Sequence, residues 1–132
     1  MVELNQDKPS VMVIDDVPEA RALISDMLRD MGFDSVQEAG DGAEALEKLK
    51  QERAHLILCD HRMAGMSGLD LLSQLRNHPY LVDIPFIVVS AVSEAPVIET
   101  ARDLGADEYL IKPIGFSKLR DTVAEVIRRR CV

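Results

Sequence analysis

Five polar side chains in this sequence could together handle a phosphoryl group: Asp15, Asp16, Asp60, Ser90 and Lys112. Carboxylates that converge on one place repel one another unless a cation neutralises them, and Mg2+ is commonly held by one or two carboxylates together with waters and phosphate oxygens. A lysine ammonium and a serine hydroxyl can bind phosphoryl oxygens, and a carboxylate can itself act as the nucleophile. The residue types therefore predict phosphoryl transfer at an Mg2+ site.

These side chains stand at the carboxyl ends of short apolar runs, which cover residues 11–14, 56–59, 86–89 and 109–111. Unbroken runs of this length, mostly rich in β-branched residues, are typical of strands buried on both faces. Stretches of helical period separate the runs, and such alternation predicts parallel strands joined by right-handed crossovers. Because ligands bind outside the carboxyl ends of parallel strands, the polar residues are expected to meet in one site.

The intervening segments predict five helices and one weaker strand. The first helix, residues 18–31, has an apolar face made of Ala20, Leu23, Ile24, Met27, Leu28 and Met31. A strand is expected at residues 35–38, and further helices at 43–51, 69–76, from 93 or 94 to 105, and 116–130. Ser67 and Asp70 could open the third helix as a capping box. Five strand–helix units follow.

Composition indicates a single soluble domain. The chain has 132 residues, of which 47% are apolar, but its apolar runs are strand-sized rather than membrane-sized. The amino terminus is too polar for a secretory signal, so a cytoplasmic location is expected. We divide the chain into a polar lead at 1–10, one domain at 11–130 and a short tail at 131–132.

Charge and cysteine content exclude several functional classes. A formal net charge of -8 argues against direct binding of nucleic acid, which needs a clustered cationic face. The basic cluster Arg128, Arg129 and Arg130 closes the last helix, where cations complement the helix dipole. Cys59 lies inside an apolar run and Cys131 is near the chain end, so neither a disulfide nor a zinc site is implied.

Four motifs in order make the chain resemble a response-regulator receiver domain of the chemotaxis, CheY-like kind, from about residue 11 to residue 130. The motifs are Ile14-Asp15-Asp16; Leu58-Cys59-Asp60 followed by Met63 and by Met66-Ser67-Gly68; Val89-Ser90-Ala91; and Tyr109-Leu110-Ile111-Lys112-Pro113. Nearly the whole chain is covered. The resemblance implies a three-layer, flavodoxin-like α/β fold, (βα)5, with a parallel sheet in the order 2-1-3-4-5.

The same resemblance implies a role for each residue of the site. Asp60 would accept phosphate from a phosphohistidine on a sensor histidine kinase or a histidine phosphotransfer protein. Asp16 and Asp60 would bind Mg2+ together with the Arg62 carbonyl, and Asp15 would help through a water molecule. Ser90 and Lys112 would hold the phosphoryl group. The domain would catalyse only its own phosphorylation and dephosphorylation, in a two-component pathway or a phosphorelay.

A switch is also implied by the resemblance. Ser90 would move toward the phosphoryl group and Tyr109 would turn inward, which would alter the surface of helix four, strand five and helix five for a downstream protein target. The same face is also the surface through which a homodimer could form. The Lys112–Pro113 peptide bond is expected to be cis, as proline allows.

Three positions depart from, or vary within, the family pattern. Ala64 replaces the proline usual in its loop, while Arg62 and Val92 flank the phosphoryl group and are not of one fixed type in the family. Our hypothesis is that Arg62 can reach a phosphoryl oxygen or a neighbouring carboxylate. Val92 would limit the access of water, so both residues would slow dephosphorylation.

Three other functions share part of this pattern. A flavodoxin-like cofactor binder needs a phosphate loop rich in Gly, Ser or Thr after the first strand, where this chain has Asp15-Asp16-Val17-Pro18. A phosphatase of the haloacid-dehalogenase type has a second aspartate two residues after its nucleophile, where this chain has Arg62. A receiver that only docks to a partner normally lacks one of the acidic residues or the lysine, whereas this chain has Asp15, Asp16, Asp60 and Lys112. Each of these alternatives shares the fold or part of the chemistry, but a receiver domain accounts for more of the motifs. The receiver is expected to be either a stand-alone regulator or the receiver segment of a longer chain.

Overall fold

Strands and helices alternate along residues 9–130, the part of the chain that this computed structural model describes. The strands are β1 Ser10–Ile14, β2 Ser35–Ala39, β3 Leu56–Cys59, β4 Phe86–Ser90 and β5 Glu108–Ile111. The helices are α1 Pro18–Asp30, α2 Gly42–Gln51, α3 Gly68–Arg76, α4 Ala95–Asp103 and α5 Phe116–Arg130. The predicted units are confirmed, with β1 beginning one residue before the predicted domain boundary. Residues 1–8 of the lead and the 131–132 tail, with Cys131, lie outside the described residues.

All strand pairs are parallel, and the sheet order β2-β1-β3-β4-β5 is the predicted one. Hydrogen bonds continue the strand pairing into the residues that follow the strands. The Asp60 amide donates to the Ile14 carbonyl at 2.9 Å, and the Lys112 amide donates to the Ser90 carbonyl at 2.9 Å. The sheet therefore holds the backbone of the predicted site residues rigidly in register.

Two apolar layers cover the two faces of the sheet, which confirms the three-layer arrangement. On one face, strand residues such as Met12 and Ile57 pack with residues of α2, α3 and α4. On the other, Val13 and Leu58 pack with residues of α1 and α5. Within residues 9–130, no helix has the length and apolar character needed to cross a membrane.

The buried face of α1 differs from the prediction at one position. Leu23 was expected to face the core, but 57% of it is exposed, whereas Ser25 is fully buried. Ile24 and Leu28 form the centre of the inward face. Successive residues are about 100° apart on a helix, so Leu23 and Ser25 fall on opposite flanks of that centre. Leu23 falls on the outer flank, which borders an open groove lined in part by Pro113.

Arg76, the last residue of α3, ties together several chain segments at the edge of the sheet opposite the predicted site. Its guanidinium donates to the carbonyls of Val82 at 3.0 Å, Ile84 at 2.8 Å and Gly105 at 2.7 Å. It also lies 3.5 Å from an Asp107 carboxylate oxygen, which in turn accepts a hydrogen bond from the Phe86 amide. One side chain therefore links α3 to the segments that lead into β4 and β5.

Replacing Arg76 by Met is expected to lower the free energy of unfolding by about 2–3 kcal/mol, because carbonyls and a carboxylate lose charged donors. Arg102→Met is the matched control, since Arg102 is an exposed arginine on α4. That variant is expected to stay within about 0.5 kcal/mol of the unchanged protein. Urea denaturation measures both. Equal stabilities of the two variants would show that the Arg76 contacts contribute nothing.

Candidate functional site

The carboxyl edge of the sheet brings Asp15, Asp16 and Asp60 together. Each offers one carboxylate oxygen within 4.8 Å of those offered by the other two. Asp15 and Asp16 follow β1, and Asp60 follows the adjacent strand β3, so the neighbouring positions of these strands create the cluster. The prediction that these residues share one site agrees with their placement.

Asp15 is the most enclosed member of the cluster, with only 1% of its surface exposed. One carboxylate oxygen accepts a hydrogen bond from the Val17 amide at 2.9 Å. The other accepts from the Lys112 ammonium at 2.8 Å. The Asp15 amide donates to the Ala39 carbonyl at 3.2 Å. The contacts hold Asp15 in one orientation and compensate for the burial of its charge.

Lys112 follows β5 and places its ammonium between two aspartates. The Nζ atom lies 2.8 Å from an Asp15 oxygen and 3.5 Å from an Asp60 oxygen. Burial alone would lower the pKa of Lys112, but the hydrogen bond to Asp15 and the charges of both aspartates raise it above its ordinary value of 10.5. The side chain is therefore a cation at neutral pH. The Lys112–Pro113 peptide bond is cis, as predicted.

Asp60 and Asp16 line the more open side of the cluster. Asp60 is 9% exposed, and one of its carboxylate oxygens accepts a hydrogen bond from the His61 amide at 2.7 Å. Asp16 is exposed, and within residues 9–130 its carboxylate accepts one hydrogen bond, a long one from the Ala64 amide at 3.3 Å. Asp16 therefore has the carboxylate with the most capacity left for another ligand.

Gly68, the first residue of α3, lies against the backbone of Asp60. A Cβ atom at this position would fall 2.1 Å from the Asp60 carbonyl oxygen, far inside van der Waals contact. The Gly68 amide donates to the His61 carbonyl at 2.8 Å, which closes the loop between β3 and α3. Ser67 and Asp70 form the predicted capping box at the start of this helix. Only glycine allows this approach.

Ser90, Val92 and Tyr109 form a second group beside the aspartates. Ser90 is fully buried at the end of β4, and its hydroxyl oxygen accepts a hydrogen bond from the Val92 amide at 3.1 Å. The Tyr109 hydroxyl donates to the Val92 carbonyl at 2.6 Å. This hydrogen bond already turns the half-buried tyrosine toward the loop that follows β4.

The charges around Tyr109 connect it to the aspartate cluster. Burial raises the pKa of the Tyr109 hydroxyl above its ordinary value of 10.0, and the charge of Asp60 adds to that effect. The charge of Arg62 acts in the opposite direction, so this exposed arginine lies close enough to influence the phenol. Tyr109 is a neutral hydrogen-bond donor at physiological pH.

Arg21 on α1 was not among the predicted site residues, although it binds the backbone of one. Its Nη1 atom donates to the Asp15 carbonyl at 2.7 Å, and its Nε atom donates to a Glu38 carboxylate oxygen at 2.9 Å. Burial would raise the pKa of Glu38, but the hydrogen bond and charge of Arg21 lower it below its ordinary 4.5. A single arginine on a helix has no sequence signal that distinguishes it from a solvated charge.

The donor set fits a hard divalent cation. The aspartates contribute three negative charges within a small volume, and Lys112 offsets only part of them. Carboxylate oxygens are the ligands that Mg2+ prefers, usually one or two of them beside waters and phosphate oxygens. The described cluster therefore offers the type of oxygen ligands that a divalent cation such as Mg2+ requires.

Comparisons with known proteins agree with this geometry. A sequence model of the response regulator receiver domain matches residues 11–124. The chemotaxis protein CheY-3 of Vibrio cholerae is 31% identical over 119 residues, which span 90% of this chain and 92% of that protein. The chemotaxis protein CheY of Pseudomonas aeruginosa is also 31% identical, over 90% of this chain and 96% of its own.

Comparison with a solved structure also indicates similarity to a receiver domain. The crystal structure of a response regulator receiver protein from Pseudomonas putida superposes with a TM-score of 0.83 at 30% sequence identity. The superposition covers 89% of this chain and 97% of that one. The similarity therefore extends over most of this chain.

Proposed function

The chain belongs to the response regulator receiver domain family, and on that premise we propose that Asp60 is its phosphoryl acceptor. The donor is a phosphohistidine on a sensor histidine kinase or on a histidine phosphotransfer protein. The observation that carries this proposal is the convergence of Asp15, Asp16 and Asp60 beside the Lys112 ammonium. The chain is a CheY-like receiver domain of two-component signalling.

In the proposed reaction a carboxylate oxygen of Asp60 attacks the phosphorus atom. The new bond joins that oxygen to phosphorus, and the bond between phosphorus and the histidine nitrogen breaks, so the imidazole leaves with the electron pair. Asp60 is suited to this role because it is partly exposed and because the His61 amide orients its other oxygen. Because the acceptor carboxylate belongs to the domain itself, the domain would act only on its own phosphorylation state.

Mg2+ would be held by carboxylate oxygens of Asp16 and Asp60 and by the Arg62 carbonyl, with Asp15 acting through water. When bound, it neutralises charge that develops on the phosphoryl oxygens. Lys112 would exchange its contact with Asp60 for one with a phosphoryl oxygen, and its ammonium is already within 3.5 Å of that carboxylate. The buried hydroxyl of Ser90 would donate to another phosphoryl oxygen.

Output from the domain would pass through Ser90 and Tyr109. A shift of Ser90 toward the phosphoryl group would disturb its hydrogen bond with the Val92 amide, and Val92 is also the partner of the Tyr109 hydroxyl. Phosphorylation would therefore change the population of Tyr109 conformers on β5. We assign the surface of α4, β5 and α5 to a downstream protein target, with a homodimer through it as the alternative.

Arg62 and Val92 are proposed to set the lifetime of the phosphorylated state. Arg62 is an exposed cation whose charge acts on Tyr109, whereas the side chain of Val92 is buried. Arg62→Ala and Val92→Ala are each expected to speed dephosphorylation several-fold, as followed by intact mass after the phosphodonor is removed. Arg102→Ala is the control. A decay rate unchanged in both variants would rule out the tuning role.

The proposed function is tested by incubating the protein with acetyl phosphate in the presence of Mg2+ or of EDTA. A mass gain of one phosphoryl group is expected only with Mg2+, because the carboxylates repel the anionic donor until a divalent cation neutralises them. Peptide mapping after borohydride reduction locates the aspartyl phosphate. No gain with acetyl phosphate or with a purified phosphohistidine donor would support the docking-only alternative.

A further inference from the structure

We propose that Arg21 is a positioning residue of the magnesium site. Arg21 would fix the peptide that joins Asp15 to Asp16, and with it the direction in which the Asp16 carboxylate leaves the backbone. This inference rests on the proposed function of the aspartate cluster. It assigns to that cluster a cationic residue that would touch neither metal nor phosphate.

The argument begins with the backbone of Asp15. Its carbonyl oxygen belongs to the peptide unit whose nitrogen is that of Asp16, and Arg21 donates to this oxygen at 2.7 Å. Asp15 is almost fully buried, so the carbonyl has little access to solvent that could replace the guanidinium. Losing this donor would leave a buried acceptor unsatisfied and would free the peptide to rotate.

Arg21 is itself held in place by β2. Its Nε atom donates to Glu38 at 2.9 Å, and the Glu38 backbone carbonyl accepts a hydrogen bond from the Lys48 ammonium at 2.7 Å. The Arg21 side chain is 21% exposed, which is less than its partner Glu38 at 33%. The planar guanidinium presents donors in a rigid fork, so one arginine can hold the carbonyl and the carboxylate at once.

Asp16 has the greatest need of such support. Unlike Asp15, it is exposed, and among the described residues its carboxylate accepts a hydrogen bond only from the Ala64 amide, at a long 3.3 Å. Its orientation toward the cluster therefore depends mainly on the backbone from which it projects. Residues that orient a ligand from outside the coordination sphere commonly alter metal affinity about 10–100-fold when they are removed.

Positioning and simple electrostatics predict opposite results for the loss of Arg21. A cation near an acidic cluster opposes the binding of Mg2+, so its removal by charge effects alone would strengthen metal binding. If Arg21 orients Asp16, its removal weakens metal binding instead. The direction of the change in Mg2+ affinity therefore separates the two roles, and a purely structural role would leave the affinity of the folded protein unchanged.

The experiment compares Arg21→Met with Arg29→Met by calorimetric titration with magnesium chloride. Arg29 lies on the same helix, where it forms an exposed pair with Asp26, at 3.6 Å. Arg21→Met is expected to bind Mg2+ about 10-fold more weakly than the unchanged protein. Arg29→Met is expected to match the unchanged protein. Equal or tighter binding by Arg21→Met would overturn the proposal.

A second readout uses the protein without metal. Amide hydrogen exchange of Asp16 and Val17, followed by NMR, is expected to be faster in Arg21→Met than in Arg29→Met, because the peptide has lost its anchor. Unchanged exchange would contradict the proposed geometry. If Arg21→Met does not fold, Arg21→Lys replaces it, since one ammonium cannot span both partners. Binding by a folded Arg21→Lys variant as tight as in the unchanged protein would also overturn the inference.

These experiments separate a failure of the proposed function from a failure of the positioning role of Arg21. If the unchanged protein binds no Mg2+ and takes no phosphate, the proposed function fails and Arg21 has no site to position. If the unchanged protein does both and Arg21→Met behaves identically, the function stands and the positioning role fails.

Discussion

Asp60→Asn is expected to abolish the uptake of a phosphoryl group from acetyl phosphate. The amide that replaces the carboxylate has no anionic oxygen to attack phosphorus and contributes one negative charge less to the cation site. The change is nearly isosteric, and the backbone hydrogen bond from Asp60 to the Ile14 carbonyl does not involve the side chain. Loss of phosphorylation would therefore reflect lost chemistry rather than a lost fold.

Intact mass spectrometry measures this prediction, with Asp103→Asn as the matched control. Asp103 is an exposed aspartate at the end of α4, so its variant is expected to accept phosphate like the unchanged protein. Circular dichroism verifies that both variants fold. A phosphoryl group that still appears on folded Asp60→Asn would place the acceptor elsewhere, and peptide mapping would identify it.

The second large effect is expected from Gly68→Ala. At an ordinary helix position, alanine stabilises relative to glycine by roughly 0.5–1 kcal/mol. Here the new Cβ would lie 2.1 Å from the Asp60 carbonyl oxygen, and this backbone atom cannot move aside as a flexible side chain could. Overpacking of this kind costs about 1–3 kcal/mol or more, so the clash outweighs the gain in helix propensity.

Two measurements check this prediction. Urea denaturation is expected to show that Gly68→Ala is less stable than the unchanged protein by about 2–3 kcal/mol. Phosphorylation by acetyl phosphate is expected to be slower in the folded fraction, because the Asp60 backbone is displaced. Gly115→Ala is the control, since a Cβ there meets nothing within 4 Å. If Gly68→Ala proves as stable as Gly115→Ala, Asp60 and α3 do not depend on their close approach.

The free energy of unfolding and the ability to accept phosphate are expected to change independently in some of these variants. Arg76→Met removes contacts at the opposite edge and is expected to lower stability without affecting the aspartates, whereas Asp60→Asn is expected to remove phosphorylation in a folded protein. Gly68→Ala should affect both, because Gly68 opens α3 and also touches the backbone of the acceptor. The three variants therefore separate the scaffold from the chemistry that it supports.

The amino-acid sequence by itself determined the strand–helix alternation and the residues of the aspartate cluster. Apolar periodicity is a local property, and it indicated both the buried strands and the polar side chains at their ends. Parallel pairing then placed Asp15, Asp60 and Lys112 at one edge, as the hydrogen bond from Lys112 to Asp15 illustrates. The capping box of α3 was equally readable because its partners, Ser67 and Asp70, are close in the chain.

Only the tertiary structure decided the contacts between residues that are distant in sequence or that depend on exact helix rotation. Rotation of α1 exposed Leu23 and buried Ser25, and it aimed Arg21 at the Asp15 carbonyl and at Glu38. The close approach of Gly68 to Asp60 depends on how α3 packs under the sheet. Such contacts follow from the packing of whole elements, which local sequence patterns do not encode.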